Sequence, residues 1–254
     1  MSEAETQPIE QRFLASVSHE IRTPLNGILG MASLLAETEL TPAQADYVSA
    51  IRRSGARLLD LLNNVLDYAR MDAAGVELET AETDIRGLAQ DVVELLSPRA
   101  HEKGIDVCVR AAGNLPEKVV LDDGRVRQIL FNIVGNAIKF TEKGGVLVDL
   151  STLNDKELCI DINDSGPGLT EEAQARLFNA FEQAEAGHRG IDGGVGLGLT
   201  IVNRLVEAMN GSVTITSAPG IGARFRILLP LNVAAAAKPV ERAGQPKRIG
   251  LAGM

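Results

Sequence analysis

Residues 9–71 constrain the fold most, because apolar positions recur there alternately three and four apart over two long segments separated by a short break. In the first segment Leu14, Val17, Ile21, Ile28, Met31 and Leu35 keep the alternation, with Pro24 filling the missing place. Such spacing lays one apolar stripe along a helix. In the second, Val48, Ile51, Gly55, Leu58, Leu62, Val65 and Ala69 carry it on to Met71. Thr41 is positioned to cap this second helix, with Pro42 in its first turn and Gln44 completing a capping box. The pattern predicts a helix from Ile9 to Ala36, a loop over 37–40 and a helix from Thr41 to Met71, folded as an antiparallel hairpin. One hairpin cannot bury a two-sided seam that also carries Leu59, Leu61 and Leu66. A dimeric four-helix bundle is the expected solution, the alternative being docking on the rest of the same chain.

His19 falls at the heptad position farthest from the stripe, so a helix here directs its imidazole to solvent. Glu20 adjoins it, Thr23 lies one turn on along the same face, and Pro24 should kink the helix just past them. A lone exposed histidine is ordinarily a solvated surface residue, so its meaning depends on the rest of the chain.

At 254 residues the chain has room for one large or two ordinary domains. A net charge of −9 argues against non-specific nucleic-acid binding, which needs a basic surface to replace counterions. With 3% aromatic residues and no tryptophan, stacking platforms are not the theme. No apolar run approaches the length of a membrane span, and the opening MSEAETQPIEQ lacks a signal-peptide pattern. A soluble, cytoplasmic protein without membrane contact is expected. Cys108 and Cys159 sit in alternating apolar strands and read as buried, reduced thiols.

Asp72 to Thr80 has the composition of a linker, and beyond it helices interleave with short strands. Helices are expected near Asp84–Ala100, Gly124–Phe140, Glu171–Leu177 and Leu199–Met209. Strands are expected near Ile105–Arg110, Val119–Leu121, Gly145–Thr152, Glu157–Asn163, Ser212–Ser217 and Ala223–Leu229. The organisation is thus an α plus α/β one, with a helical hairpin over 1–72, a linker over 73–83 and a mixed α/β layer over 84–231. Residues 232–254 read as a second linker whose closing RIGLAGM resembles the start of a further strand.

Three pieces of the α/β region carry chemistry. On the helix from Gly124 to Phe140, Gln128, Asn132, Asn136 and Lys139 fall within an arc of about 80°, opposite Val126, Leu130, Ile133 and Ala137. Asparagine is a poor helix former, so two of them need a reason. Amide oxygens suit a hard cation such as Mg²⁺, and the Lys139 ammonium suits phosphates. Next, Asp164-Ser-Gly-Pro-Gly168 follows an apolar strand; Gly166 and Gly168 permit unusual backbone angles, and Asp164 offers a carboxylate to an exocyclic amine. Third, Gly193-Gly-Val-Gly-Leu-Gly198 opens onto a helix whose N-terminal donors can receive an anion. Residues 182–193, with Arg189 in the middle, have the small and polar composition of a lid over a nucleotide.

These residues carry a resemblance to the catalytic core of two-component sensor histidine kinases, over about residues 10–231. SHEIRTPLNGI resembles the phosphoacceptor box, RQILFNIVGNAIKFT the asparagine box, DSGPG the first glycine box, LFNAFEQ the phenylalanine box and GGVGLGLTIV the second glycine box. The resemblance implies a dimerisation and histidine-phosphotransfer hairpin followed by a two-layer α/β sandwich of the GHKL type. That is the ATP-binding fold shared with gyrase, a chaperone class and mismatch-repair ATPases.

It further implies ATP-dependent phosphorylation of His19, oriented by Glu20, and transfer to an aspartate of a receiver domain, in trans or following in the same chain. Thr23 resembles the residue that places water for the reverse phosphatase step. In the pocket Asn136 would coordinate Mg²⁺, Asn132 and Lys139 would contact phosphates, and Asp164 would read the adenine amine. Gly166, Gly168, Arg189, Gly194, Gly196, Leu197, Gly198 and Leu199 would line the nucleotide. Two departures stand out: Val195 occupies the usual threonine of the second glycine box, and Gly190-Ile191-Asp192 replaces the aromatic common in the lid. A related ATPase and a non-catalytic scaffold are the rival readings, the second favoured only by these departures.

Overall fold

Thr41 sets the first turn of the molecule as its sequence directs. Its amide donates to Gln44 Oε1 at 2.9 Å, while the Gln44 amide donates to Thr41 Oγ1 at 3.4 Å, the reciprocal capping box. The computed structural model describes residues 9–180, 182 and 196–233, with side chains from residue 20 onward except at 73 and 74. The box starts α2 (Pro42–Ala74), which packs antiparallel to α1 (Ile9–Ala36). Helix α1 continues through Pro24 instead of ending there. Helix α2 outlasts the expected Met71 because Gly75, at φ 75°, forms the C-cap and donates its N–H to the Met71 carbonyl at 3.1 Å.

On α1 the hairpin closes beside the apolar stripe, while on α2 it takes up Val48 and Gly55 of the stripe. Leu25, Ala32, Val48 and Leu66 are buried, and Gly55 lies so close against Leu29 that a Cβ would meet it. Arg22 Nη2 donates to Asn63 Oδ1 at 3.0 Å. On this register each step back along α1 is a step forward along α2, so the backbone of His19 falls level with the turn holding Val65 and Leu66. Much of the stripe is left over: Ile21, Ile28, Met31, Leu35, Ile51 and Leu58 are between 40% and 70% exposed.

The α/β region comprises β1 (Ala81–Thr83), α3 (Ile85–Glu102), β2 (Asp106–Ala111), β3 (Val119–Leu121), α4 (Asp123–Phe140), β4 (Gly145–Leu153) and β5 (Glu157–Asp164). It continues with α5 (Glu171–Arg176), α6 (Gly198–Ala208), β6 (Ser212–Ala218) and β7 (Gly222–Pro230). The main sheet runs β2-β4-β5-β7-β6, parallel only between β2 and β4. Ile85, Leu96, Ile129, Ile133, Ile201 and Leu205 from the helices are buried against Leu150, Ile160, Ile162 and Ile227 from the strands, giving the two-layer sandwich. A strand at Ala81–Thr83 was not expected within the linker; it pairs antiparallel with β3. Val233 bridges to Val119 on the other side of β3, with the Val120 amide donating to the Asn232 carbonyl at 2.7 Å. The linker and the chain leaving β7 therefore flank one strand.

The sheet's other face is polar. Asp161 is buried there between Arg224 and Arg226, while Arg110 pairs with Asp149 on the adjoining strands. The expectation of two buried thiols needs correction. Cys159 is buried, but Cys108 is exposed, because β2 is an edge strand and Cys108 alternates onto the polar face, with Val107 and Val109 turned to the core. Among the described residues no helix is long and apolar enough to cross a membrane.

Candidate functional site

The local chemistry of α4 fixes where its polar face points. Asp122 caps it, with Oδ1 accepting from the Arg125 amide at 2.9 Å and Oδ2 from the Glu79 amide of the linker at 2.8 Å. Val126, Ile129, Leu130, Ile133, Val134, Ala137 and Ile138 are buried in the core. Gln128, Asn132, Asn136 and Lys139 are half-buried on the remaining face, as their spacing predicts. Gln128 turns to the stem instead of the pocket, donating from Nε2 to Asp67 Oδ2 of α2 at 2.8 Å.

The second glycine box meets this face. Gly196 has φ 77°, Leu197 is buried in the core, and α6 begins at Gly198 with no side chain capping its N-terminus. A Cβ on Gly198 would stand 3.4 Å from Asn132 Oδ1, so the start of α6 lies directly against the asparagine face. Leu199 packs against the core, and Thr200 Oγ1 donates to the Phe178 carbonyl at 3.1 Å, tying α6 to the phenylalanine box. Leu197 therefore offers a ligand only its backbone, while the half-buried Leu199 side chain lies partly at the surface. The Asn132 amide and the uncapped N–H groups of α6 meet here, on the helix face that also carries Asn136 and Lys139, whose ammonium lies 4.9 Å from the Phe140 ring centroid; such groups can receive a polyanion together with a hard cation.

Asp164 ends β5, and the turn after it approaches the end of α4, where a Cβ on Gly166 would stand 3.4 Å from the Phe140 carbonyl oxygen. Its Oδ1 accepts from the Gly166 amide at 2.9 Å and the Ala223 amide at 3.2 Å, which fixes the carboxylate and leaves Oδ2 without a hydrogen bond among the described residues. Burial raises its pKa above the ordinary carboxylate value although both amides pull it down. Ser165 Oγ donates to the Lys143 carbonyl at 2.8 Å and accepts from the Gly145 amide at 2.9 Å, joining this turn to the loop after α4. Gly168, at φ 70°, sits under the β6–β7 turn, where a Cβ would collide with the Ala218 carbonyl oxygen. Its freedom thus serves packing behind the turn. Gly166 carries a milder constraint, its Cβ position lying 2.9 Å from Asp164 Oδ1.

On the stem, Glu20 and Thr23 are exposed on α1; His19 belongs to the same helix, but its side chain lies outside the described residues. Arg189, Gly194, Val195 and nearly all of the expected lid also lie outside them.

Residues that the sequence did not single out join the two regions. Arg204 of α6 donates from Nη2 to Asp72 Oδ1 at 2.8 Å and to Tyr68 Oη at 3.3 Å, with its guanidinium 4.3 Å from the Tyr68 ring centroid. Lys103 reaches across to the end of α4, donating to the Ile138 and Lys139 carbonyls and to that of the C-cap Thr141. Both are ordinary surface-type residues whose partners come from distant sequence, and only the charge of Lys103 next to a helix end was a signal.

Comparison with known proteins follows the same division. Residues 9–74 match the His Kinase A (phospho-acceptor) domain, and residues 121–233 the histidine kinase-, DNA gyrase B- and HSP90-like ATPase. The chain is 42% identical over 234 residues to the signal transduction histidine-protein kinase BarA of Escherichia coli K12, covering 90% of this chain and 26% of that protein. It is 41% identical over 231 residues to the sensor protein GacS of Pseudomonas syringae, covering 89% of this chain and 26% of that protein. The chain thus spans about a quarter of the length of these curated relatives. Among solved structures, full-length ShkA in complex with AMPPNP is 49% identical with a TM-score of 0.75, covering 89% of this chain and 47% of that one. With a phospho-acceptor hairpin followed by this ATPase fold, the chain belongs to the histidine kinase family.

Proposed function

We propose that this chain catalyses ATP-dependent phosphorylation of His19 and passes the phosphoryl group to an aspartate of a receiver domain, supplied in trans or further along the chain. The observation that carries the reading is the meeting of Asn132, on the face that also holds Asn136 and Lys139, with the uncapped start of α6 at Gly198. The working units are a phosphotransfer hairpin over 1–72, a linker over 73–83 and a catalytic domain over 84–231.

The donor set fits a magnesium nucleotide. Asp164 Oδ2 would accept from the adenine amine, Asn132, Lys139 and the first N–H groups of α6 would hold phosphates, and the Asn136 amide oxygen would hold Mg²⁺. When bound, Mg²⁺ supplies charge neutralisation between the phosphates. A neutral imidazole nitrogen of His19 would attack the γ-phosphorus in line, forming an N–P bond as the bond to the bridging oxygen breaks and ADP leaves. Glu20 would accept a hydrogen bond from the other ring nitrogen, orient the ring and take its proton. Thr23 would position water for the reverse, phosphatase step.

Docking of the catalytic domain on α2 at Tyr68 and Asp72, near the height of His19, supports approach of the two sites. The exposed stripe of Ile28, Met31 and Leu35 supports a homodimer, with a second copy completing a four-helix bundle. The reading also places the protein in the cytoplasm, where ATP and receiver domains are available.

Incubation with γ-labelled ATP and Mg²⁺ tests it. Acid-labile, base-stable label is expected on the parent and absent from His19→Gln. Label retained by His19→Gln would reject the acceptor assignment, and normal magnesium-dependent turnover by Asn136→Ala would reject the metal role.

A further inference from the structure

Lys103 is the residue after α3, and a basic side chain there would ordinarily serve the end of its own helix. Here it does not. Its backbone N–H bonds the Ala100 and His101 carbonyls, Gly104 at φ 67° turns the chain into β2, and the ammonium crosses to another helix. Nζ donates to the Ile138 carbonyl at 2.8 Å, the Lys139 carbonyl at 2.6 Å and the Thr141 carbonyl at 2.9 Å. All three ammonium protons are thereby used.

The end of α4 explains the demand for them. The last carbonyls of a helix have no partner within it. Ala137 is served locally, by the Thr141 amide at 3.0 Å and the Thr141 hydroxyl at 2.7 Å. Ile138 and Lys139 receive Lys103 instead, and the same cation holds Thr141, where the chain enters the loop leading to β4. That loop is in turn fixed to the Asp164 turn through Ser165. One side chain thus fastens the C-terminus of the helix bearing Asn132, Asn136 and Lys139, and a positive charge there also opposes the negative end of the helix dipole.

We infer that Lys103 is a positioning residue for phosphoryl transfer, a clamp on the C-terminal carbonyls of α4 that holds Asn136 and Lys139 in register with the bound metal and phosphates. The inference rests on the proposed kinase reading. Lys103 touches no substrate in this account; it acts through the last turn of α4, whose Ile138 and Lys139 carbonyls it holds.

The test compares Lys103→Met, which keeps length and loses all three donors, with Lys103→Arg, whose planar fork restores a cation but cannot place three protons as an ammonium does. ADP binding is titrated with and without Mg²⁺, alongside thermal melting and single-turnover labelling. For Lys103→Met, metal-free ADP affinity is expected within about threefold of the parent, with the half-saturating Mg²⁺ concentration and the labelling rate each worse by about tenfold, a loss of order 1.4 kcal/mol. Lys103→Arg should recover part of the Mg²⁺ shift. Parent-like Mg²⁺ dependence in Lys103→Met overturns the inference, as does metal-free and metal-bound affinity falling in equal proportion, which a merely structural role would give. If Lys103→Met fails to fold, Lys103→Arg decides alone: an unchanged Mg²⁺ requirement overturns the clamp. A parent that binds no magnesium nucleotide would instead reject the kinase reading beneath it.

Discussion

Arg204 of α6 donates to Asp72 of α2 at 2.8 Å while its guanidinium lies over the ring of Tyr68 at 4.3 Å. Together with the bond from Gln128 to Asp67, this joins α4 and α6, the two helices that meet at Asn132 and Gly198, to the stem. Asp72 is 64% exposed, so the ion pair itself contributes no more than about 0.5–1 kcal/mol, and the stacked ring adds about as much. Arg204→Ala is therefore expected to raise amide hydrogen exchange across residues 65–72 by about 5- to 30-fold, the equivalent of 1–2 kcal/mol. Exchange unchanged in that segment would show that the Gln128–Asp67 bond and the apolar contacts at Val65 and Met71 hold the docking without Arg204.

The uncovered stripe on the stem leads to a prediction about assembly. Ile28 and Met31 are 54% and 70% exposed and take no part in closing the hairpin, which uses Leu25, Leu29 and Ala32. Replacing both by glutamate should leave each chain folded and convert a dimer to a monomer in sedimentation. Retention of the parent's mass would place the dimer seam elsewhere.

Much of this was legible because local rules and global packing agree. The capping box at Thr41 and Gln44, the core face of α4 and the alternation of β5 and β7 each follow from local sequence pattern, and every observed element except β1 begins and ends within three residues of expectation. The polar face shared by Asn132, Asn136 and Lys139 was legible for the same reason, since the three belong to one helix. What periodicity could not supply were partners that meet only after folding. Lys103 looks like a solvated lysine until α4 is laid beside α3, and Arg204 like one until α2 docks. Gly168 was expected at the nucleotide from its place in the first glycine box; the packing constraint on it, from Ala218 fifty residues on, was not legible. Cys108 was misread because alternation gives two faces and does not say which is covered.

The polar sheet face predicts a distinct pH dependence. Burial alone would push the Asp161 carboxyl up, but Arg224 and Arg226, each donating to it from two nitrogens, outweigh burial and hold its pKa below the usual value. A depressed folded pKa means stability that is present above the unfolded value of about 3.9 and lost as pH falls through the folded value. Asp161→Asn is expected to cost about 1–3 kcal/mol in urea denaturation at pH 7, less than a fully buried pair because both arginines can rehydrate. The difference from the parent should shrink below pH 4. A penalty independent of pH would mean that the carboxylate's charge contributes nothing.

Asp164 has the opposite sign, and that separates function from stability. Burial raises its folded pKa, so the folded chain holds this proton more tightly than the unfolded chain does. Its ionised form therefore costs stability, a cost that grows as pH rises from about 3.9 towards the folded pKa and is complete above it. Asparagine can keep an oxygen where Oδ1 accepts from the Gly166 and Ala223 amides, removing the charge without breaking either bond. It also replaces Oδ2, the acceptor offered to an exocyclic amine, with a donor. Asp164→Asn should thus melt no lower than the parent at pH 7, with its relative advantage vanishing below pH 4, while ADP affinity falls by about 10- to 100-fold. Calorimetric melting and nucleotide titration read the two effects separately. If affinity persisted, the adenine amine would have to be bound elsewhere; if the variant melted lower at pH 7, the buried charge would be serving the fold.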